Sequence, residues 1–442
     1  MFFTRWIRHL RDAHPDHHAI ARGMAWVALF VLLGSIARAA KEVAIAYRYG
    51  VSAEVDAYLF VFNLVTWPVA VWFSVLTVVL VPLAARIRQG ASAELPRFRS
   101  ELLGLTLLLG LALVFLGWLG LPLLLRSSWT GLPSATVAIA LDMVPTLTLL
   151  APMGVVISLF SAWMLAASRH ANTLMESVPA LSVLIALLAF PGGGVEPLVW
   201  GTLAGFAFHL ASLGVPLSRQ GVIEAPRFTR QSRQWATFWQ GFGIMLAGQA
   251  LMSFTGIIDQ FFAGHLGTGA IASLSYANRI LLLILGVGAM AVSRATLPVF
   301  SNAQAQGGEQ VNRVATYWVR VMFALGVVTM LVSWLLAPWG VELLFERGAF
   351  TAQDTAIVTE VLRYGLTQLP FYFAGIVLVS LLSSQGRYRA IAVIASVNLL
   401  AKIVAVMLLV PALGVNGIAL STALMYAVSM FLLNVSVSKA RK

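Results

Sequence analysis

Three ionisable side chains stand together inside a long apolar stretch near the start of the chain: Arg38, Lys41 and Glu42. Their spacings of three and four residues place them on one face of a helix. Gly50 follows Glu42 by eight residues, so a rise of about 1.5 Å per residue would place the cluster roughly 12 Å below the helix end. Ionisable groups at that depth of a bilayer are costly and usually functional, although a packing ion pair is the structural alternative. We expect Arg38 to pair with Glu42, which would leave Lys41 as a free cation.

Further ionisable residues lie in apolar segments elsewhere. A faint internal repeat at an offset of 216 or 217 residues, which matches Gly50 with Gly267, sets Asp259 opposite Glu42. Arg279 begins the body of a later apolar segment. Asp56 lies at the start of the second segment, where it either favours the helix N-terminus or takes part in function. We expect a central cavity between the two halves of the chain that holds three cations and three acids: Arg38, Lys41, Arg279, Glu42, Asp259 and Asp56.

The three cations suit a phosphate-containing ligand. Arginine binds a diphosphate by bidentate contact, and lysine binds it as a point charge. The acids would either bind a coupling cation, Na+ or H+, or hold the cations in place when no substrate is bound. For the other ionisable residues in or near apolar segments, a satisfied polar contact is the better interpretation: Asp142, Glu176, His209, Arg363 and Lys402.

The composition indicates that these residues lie in a membrane. Of the 442 residues, 60% are hydrophobic and 10% are charged, whereas about a quarter of a soluble domain is charged. The net charge of +12 is explained by Lys and Arg in cytoplasmic loops, and no nucleic-acid-binding module is visible. The absence of cysteine excludes disulfides and thiolate metal sites. We expect contact with membrane lipids, and no metal, cofactor or nucleic acid.

Twelve apolar runs are long enough to cross a bilayer, which takes about 20 residues. They lie at roughly 20–47, 56–84, 101–125, 135–166, 171–191, 195–217, 237–263, 269–299, 314–340, 355–384, 389–410 and 415–437. We therefore predict an all-α, multi-pass membrane protein with twelve transmembrane helices in two six-helix lobes.

The two halves of the chain repeat a motif at an offset of 220 residues, because Pro191–Thr202 reappears as Pro411–Thr422. Such repeats are typical of transporters that bind substrate between their halves. With an even number of helices in each half, the lobes should be related by a pseudo-two-fold axis along the membrane normal. The predicted parts are an N-terminal segment (1–19), a first lobe (20–217), a basic linker (218–236), a second lobe (237–437) and a tail (438–442).

The loop cations predict the orientation. One side of the membrane would hold 19 Lys and Arg residues and the other only three, Arg48, Arg126 and Arg347. This asymmetry places both termini in the cytoplasm. Because no predicted loop could fold into an extracytoplasmic catalytic domain, we expect a transporter rather than an enzyme.

Four motifs, in order along the chain, resemble the MurJ/MviN-like flippases of the multidrug/oligosaccharidyl-lipid/polysaccharide exporter superfamily. They are Gly50–Phe62, Ser275–Arg279, Leu344–Thr351 and Pro411–Ala419. The resemblance implies a MATE-like fold in the bacterial cytoplasmic membrane. It also implies transfer of an undecaprenyl-diphosphate-linked saccharide between leaflets, driven by Na+, H+ or the membrane potential. By position, Lys41 and Arg279 match cavity arginines of the family, and Glu42 matches an acid.

Several family features differ in this chain and leave the cargo open. A first-helix arginine of the family falls at Ser35, where Arg38 would substitute, and the second-helix arginine pair falls at Val69 and Ala70. Lipid II flippases usually carry two further helices, whereas twelve are predicted here, and another chain could supply them. Lipid II, the peptidoglycan precursor, and an O-antigen or exopolysaccharide unit are therefore both candidate cargoes. An exporter of cationic drugs and a non-transporting membrane protein are the rival interpretations.

Overall fold

The computed structural model describes residues 15–90, 94–167, 175–286, 308–385 and 387–439, which are mainly helical and contain no strand. The helices are α1 Pro15–Tyr49, α2 Ala53–Gly90, α3 Glu94–Arg126, α4 Ser134–Leu147, α5 Leu150–Ala166, α6 Val178–Ala189, α7 Glu196–Arg219, α8 Gln234–Gly264, α9 Ala270–Gly286, α10 Gly308–Phe345, α11 Ala352–Leu366, α12 Leu369–Ser384, α13 Tyr388–Leu413 and α14 Val415–Lys439. Most of the predicted N-terminal segment and of the tail lies outside the described residues.

The helices confirm the predicted all-α membrane architecture. Among the described residues, eight helical segments are long and apolar enough to cross a bilayer, and a ninth is the pair α4 and α5, bent by 48°. Each of the twelve predicted runs overlaps a described helix. The number of membrane crossings stays a prediction.

The surface of α3 shows why the chain needs lipid around it. Leu108, Leu111, Phe115 and Leu119 recur at spacings of three and four residues and are all exposed, Phe115 to 63%. In water such a stripe would be a large apolar patch. Against lipid chains it needs no partner, and helices satisfy the backbone hydrogen bonds that lipid cannot.

The chain divides into two compact units. The first comprises Met1–Ala44, Trp72–Val114 and Leu149–Gly241; the second comprises Ile45–Val71, Phe115–Thr148 and Phe242–Lys442. In the first unit, α7 packs against α5 and α6, and in the second, α14 packs against α11, α12 and α13. Four helices contribute to both units, so the units are discontinuous in sequence. The predicted lobe boundaries stay predictions.

Within the first unit, the basic linker is held by the buried carboxylate of Glu101 on α3. Glu101 accepts hydrogen bonds from the Thr229 hydroxyl at 2.9 Å, the Ser232 amide at 3.1 Å and the Trp235 indole at 2.7 Å. Arg97 Nε lies 3.5 Å from Glu101 Oε1. The sequence indicated only an orientation signal in this linker. The structure shows that Glu101 accepts several of the hydrogen bonds that hold the segment leading into α8.

Replacing Glu101 with alanine should therefore destabilise the first unit. The change leaves several donors of the linker without their acceptor, which costs roughly 3 kcal/mol of unfolding free energy. Glu94→Ala is the matched control, since Glu94 sits on the same helix and accepts a hydrogen bond from Gln234 Nε2 at 3.2 Å. Thermal unfolding in detergent should show a clearly larger loss for Glu101→Ala. Equal losses in the two variants would contradict this account of the linker.

Candidate substrate and ion site

The ionisable cluster of α1 is held within the first unit by local contacts. Lys41 Nζ lies 2.8 Å from Glu42 Oε1, and both side chains are largely buried. Arg38 donates to Ser35 Oγ at 3.0 Å and is attracted to the Glu176 carboxylate. Lys41 and Arg38 therefore each lie near an acid.

The expected pairing within this cluster is wrong. We predicted an Arg38–Glu42 pair and a free Lys41, but Glu42 pairs with Lys41. The four-carbon lysine chain is long enough to fold back onto the neighbouring residue. Glu176, which is distant in sequence, attracts Arg38 instead. Spacing along one helix could not reveal this competing acid.

Asp56 at the start of α2 caps a different helix in the second unit. It is 1% exposed, and its two carboxylate oxygens accept hydrogen bonds from the backbone amides of Gly269 at 2.5 Å and Ala272 at 2.7 Å. These amides belong to the first turn of α9, where backbone donors lack partners within the helix. The geometry gives Asp56 a structural use, and its part in coupling stays a prediction.

Replacing Asp56 with alanine should lower the unfolding free energy by roughly 2 kcal/mol, because buried amides of α9 lose their acceptor. Glu54→Ala is the control, since Glu54 shares the first turn of α2 and its charge relation to the helix dipole. Denaturation of the two purified variants, compared with the unsubstituted protein, checks this. An Asp56→Ala protein as stable as the Glu54→Ala protein would disprove the capping role.

A cavity of about 380 Å³, with both polar and apolar residues in its wall, lies within the second unit. Asp259 and Arg279 both line it, so the structure brings these two predicted site residues together. The other polar side chains of its wall are Asn63, Thr66, Trp67, Ser253, Gln260, Ser275 and Asn278. The Trp67 indole donates to Ser253 Oγ at 2.9 Å and thereby fixes one wall. The described residues of its wall offer one guanidinium, one carboxylate and several neutral hydrogen-bonding groups.

Lys402 on α13 is the partner of Asp259. Its ammonium lies 2.6 Å from Asp259 Oδ1, and the lysine side chain is 0% exposed. The interpretation of Lys402 as a satisfied polar contact is confirmed, but the sequence did not connect it with Asp259. The two acids matched by the repeat, Glu42 and Asp259, are thus each paired with a lysine of their own unit.

The family-like motifs of the second unit meet at the end of α1. Ala349 donates its amide to the Tyr47 carbonyl at 2.8 Å, and the Tyr276 hydroxyl donates to the Gly50 carbonyl at 3.0 Å. The Tyr276 ring also packs on Phe350, with centroids 5.4 Å apart. Motifs that are separated by more than 200 residues therefore form one contact cluster. Whether the cations of α1 share a cavity with Arg279 stays a prediction.

Comparison with known proteins places the chain in a family. The family model described as "Lipid II flippase MurJ" matches residues 45–442. A probable lipid II flippase MurJ of Helicobacter pylori strain J99 is 30% identical over 203 residues, which are 45% of this chain and 43% of the relative. A protein of the same description from Buchnera aphidicola is 20% identical over 377 residues, 83% of this chain and 74% of the relative. The chain thus spans less than half the length of its Helicobacter relative.

Solved structures share the fold. A lipid II flippase MurJ in an inward closed conformation superposes with a TM-score of 0.82 at 19% identity, covering 94% of this chain and 87% of that one. An inward-facing MATE multidrug transporter gives a TM-score of 0.74 at 16% identity, covering 92% and 95%. At these identities the likeness concerns the fold alone. The family match over residues 45–442 carries the assignment, and the chain belongs to the MurJ family of lipid II flippases.

Proposed function

We propose that this protein moves an undecaprenyl-diphosphate-linked saccharide from the inner to the outer leaflet of the bacterial cytoplasmic membrane. Lipid II is the cargo favoured by the family match. Both termini would lie in the cytoplasm, and the protein would act as a translocator without chemical conversion of its substrate. The observation that carries the proposal is the cavity of the second unit with Arg279 in its wall.

The described lining of this cavity contains a cation that can bind an anionic ligand. Asp259 and Arg279 are the charged side chains among the described lining residues, and Lys402 neutralises Asp259. Arg279 is therefore the cation of this described lining that we assign to an anionic ligand. A guanidinium in a site of low dielectric binds a diphosphate through charge-assisted hydrogen bonds.

Lys41 and Arg38 are further candidate diphosphate ligands. Without substrate their charges are balanced by Glu42 and Glu176. A diphosphate carries more negative charge than one carboxylate, so it can compete for the same cations. In this view Glu42 holds Lys41 in place between transport events. The membrane potential would then help to reset the carrier, at about 2.3 kcal/mol per charge and 100 mV.

Leaflet transfer in proteoliposomes tests the proposal. Fluorescent lipid II and a fluorescent undecaprenyl-diphosphate oligosaccharide are each placed in both leaflets, and a membrane-impermeant quencher reports the fraction that reaches the outside. Quenching of the whole lipid II pool, against half of it in protein-free vesicles, would support the proposed cargo. Transfer of the oligosaccharide alone would indicate a surface-polysaccharide precursor. Transfer of neither, together with export of lipophilic cations, would favour the drug-exporter interpretation.

A further inference from the structure

The ammonium of Lys402 occupies a cage of four oxygen atoms in the second unit. It donates to the Ile418 carbonyl at 3.1 Å, to Ser421 Oγ at 2.8 Å and to Thr422 Oγ1 at 2.6 Å. The fourth oxygen is Asp259 Oδ1 at 2.6 Å. The cage thus combines one carboxylate, one backbone carbonyl and two hydroxyls. The three neutral oxygens come from the N-terminal part of α14.

The Lys402 ammonium is held by hydrogen bonds to neutral oxygens and by the negative charge of Asp259. An ammonium has three N–H donors, and the three neutral oxygens of α14 take them. Asp259 Oδ1, at 2.6 Å from Nζ, adds the attraction of opposite charges. The Ser421 hydroxyl donates back to the Ile418 carbonyl at 2.6 Å, which leaves its lone pairs directed at the cation. Carboxylate, carbonyl and hydroxyl oxygens are the ligands that hard metal cations prefer.

The position of the cage connects it with the candidate transport site. Asp259 has a buried Oδ1 against Lys402, yet its side chain keeps 16% exposure and lines the cavity that also contains Arg279. A carboxylate in this position would attract a coupling cation from the cavity, which is one of the two roles that the sequence left open for the acids. The lysine already supplies that positive charge from within the chain.

We propose that the oxygen cage is a monovalent-cation site that this chain fills permanently with its own Lys402 ammonium. The second unit then needs no Na+ from solution to neutralise Asp259. Of the two roles considered for the acids, the proposal excludes the binding of an external coupling cation by Asp259. It also predicts a latent site: without the lysine chain, the four oxygens and the negative charge remain, and Na+ or Li+ can enter.

Cation-dependent stability of the full chain tests this proposal. Thermal unfolding in detergent is measured in NaCl, LiCl and choline chloride at equal ionic strength. The unsubstituted protein should have the same Tm in all three salts. Lys402→Ala should be less stable in choline chloride, and Na+ should raise its Tm by several degrees in a saturable way, because a ligand that binds only the folded state stabilises it. This readout does not involve the glycolipid, so its outcome is independent of the proposed function.

Two variants separate a vacated cage from general destabilisation. Lys402→Met fills the space with an uncharged chain of similar length, and Lys402→Ala combined with Asp259→Asn removes the negative charge. Both should show no difference between NaCl and choline chloride. A sodium-dependent Tm in the unsubstituted protein would overturn the proposal. A folded Lys402→Ala protein whose Tm does not depend on Na+ would also overturn it. If Lys402→Ala does not fold, the binding of radioactive Na+ to the unsubstituted protein is measured instead. The absence of Na+ binding would support the proposal. Na+ binding that is lost in the Asp259→Asn variant would refute it.

Discussion

Replacing Arg279 with alanine should reduce glycolipid transfer in proteoliposomes by about 10- to 100-fold. The guanidinium lines the cavity of the second unit, and a hydrogen bond to a charged partner contributes roughly 1.5–3 kcal/mol. Because a tenfold change in an equilibrium constant corresponds to about 1.4 kcal/mol, one lost contact of this kind gives the stated range. Arg279→Lys should retain part of the activity, since it keeps the charge but loses bidentate contact. The measurement is the rate of quencher-accessible glycolipid at matched protein density.

Arg389→Ala provides the control for this experiment. Arg389 belongs to the same unit but is an exposed residue near the start of α13, outside the residues that line the cavity. Its loss should leave the transfer rate within about twofold of the unsubstituted protein, as expected for a surface substitution. Transfer by Arg279→Ala at the rate of Arg389→Ala, with equal membrane insertion, would remove Arg279 from the proposed site.

Replacing Gly348 with valine should nearly abolish recovery of folded protein. Gly348 has a φ of 62°, which costs a side chain with a Cβ roughly 1–2 kcal/mol, and more for a β-branched residue. In addition, an added Cβ would overlap the Tyr47 carbonyl oxygen. That oxygen accepts the Ala349 amide at 2.8 Å, so relief of the overlap breaks a backbone hydrogen bond. We expect a total loss above about 4 kcal/mol, which is exceptional for one substitution.

Gly340→Ala is the matched control, because it places a Cβ on another glycine of the same segment. Gly340 lies within α10, and a Cβ there would meet no heavy atom within 4 Å. Alanine at a helical position should be neutral or stabilise by up to about 1 kcal/mol. The yield of monodisperse protein after size-exclusion chromatography and the Tm in detergent report both effects. A Gly348→Val protein that matches Gly340→Ala in yield and Tm would contradict the packing described for the end of α1.

The sequence by itself showed that this protein lies in lipid, where its helices lie and to which family it belongs. Long apolar runs with few charges can satisfy their backbone only as helices in lipid, so the helix positions follow from composition and length. The four spaced motifs were sufficient to identify the family before any coordinates. The sequence also marked Arg38, Lys41, Glu42, Asp259 and Arg279 as ionisable groups at unusual positions, because charge within such runs stands out.

Only the tertiary structure decided which of these charges meet. The pairs Lys402–Asp259 and Trp67–Ser253 join residues that are far apart in sequence, and helix periodicity carries no information on contacts between helices. The same holds for the capping of α9 by Asp56. Spacing along α1 favoured Arg38 as the partner of Glu42, yet packing placed another acid near Arg38 and left Glu42 to Lys41. A charge within a membrane-spanning segment costs free energy at any position, but its role depends on the counter-charge that the fold places beside it.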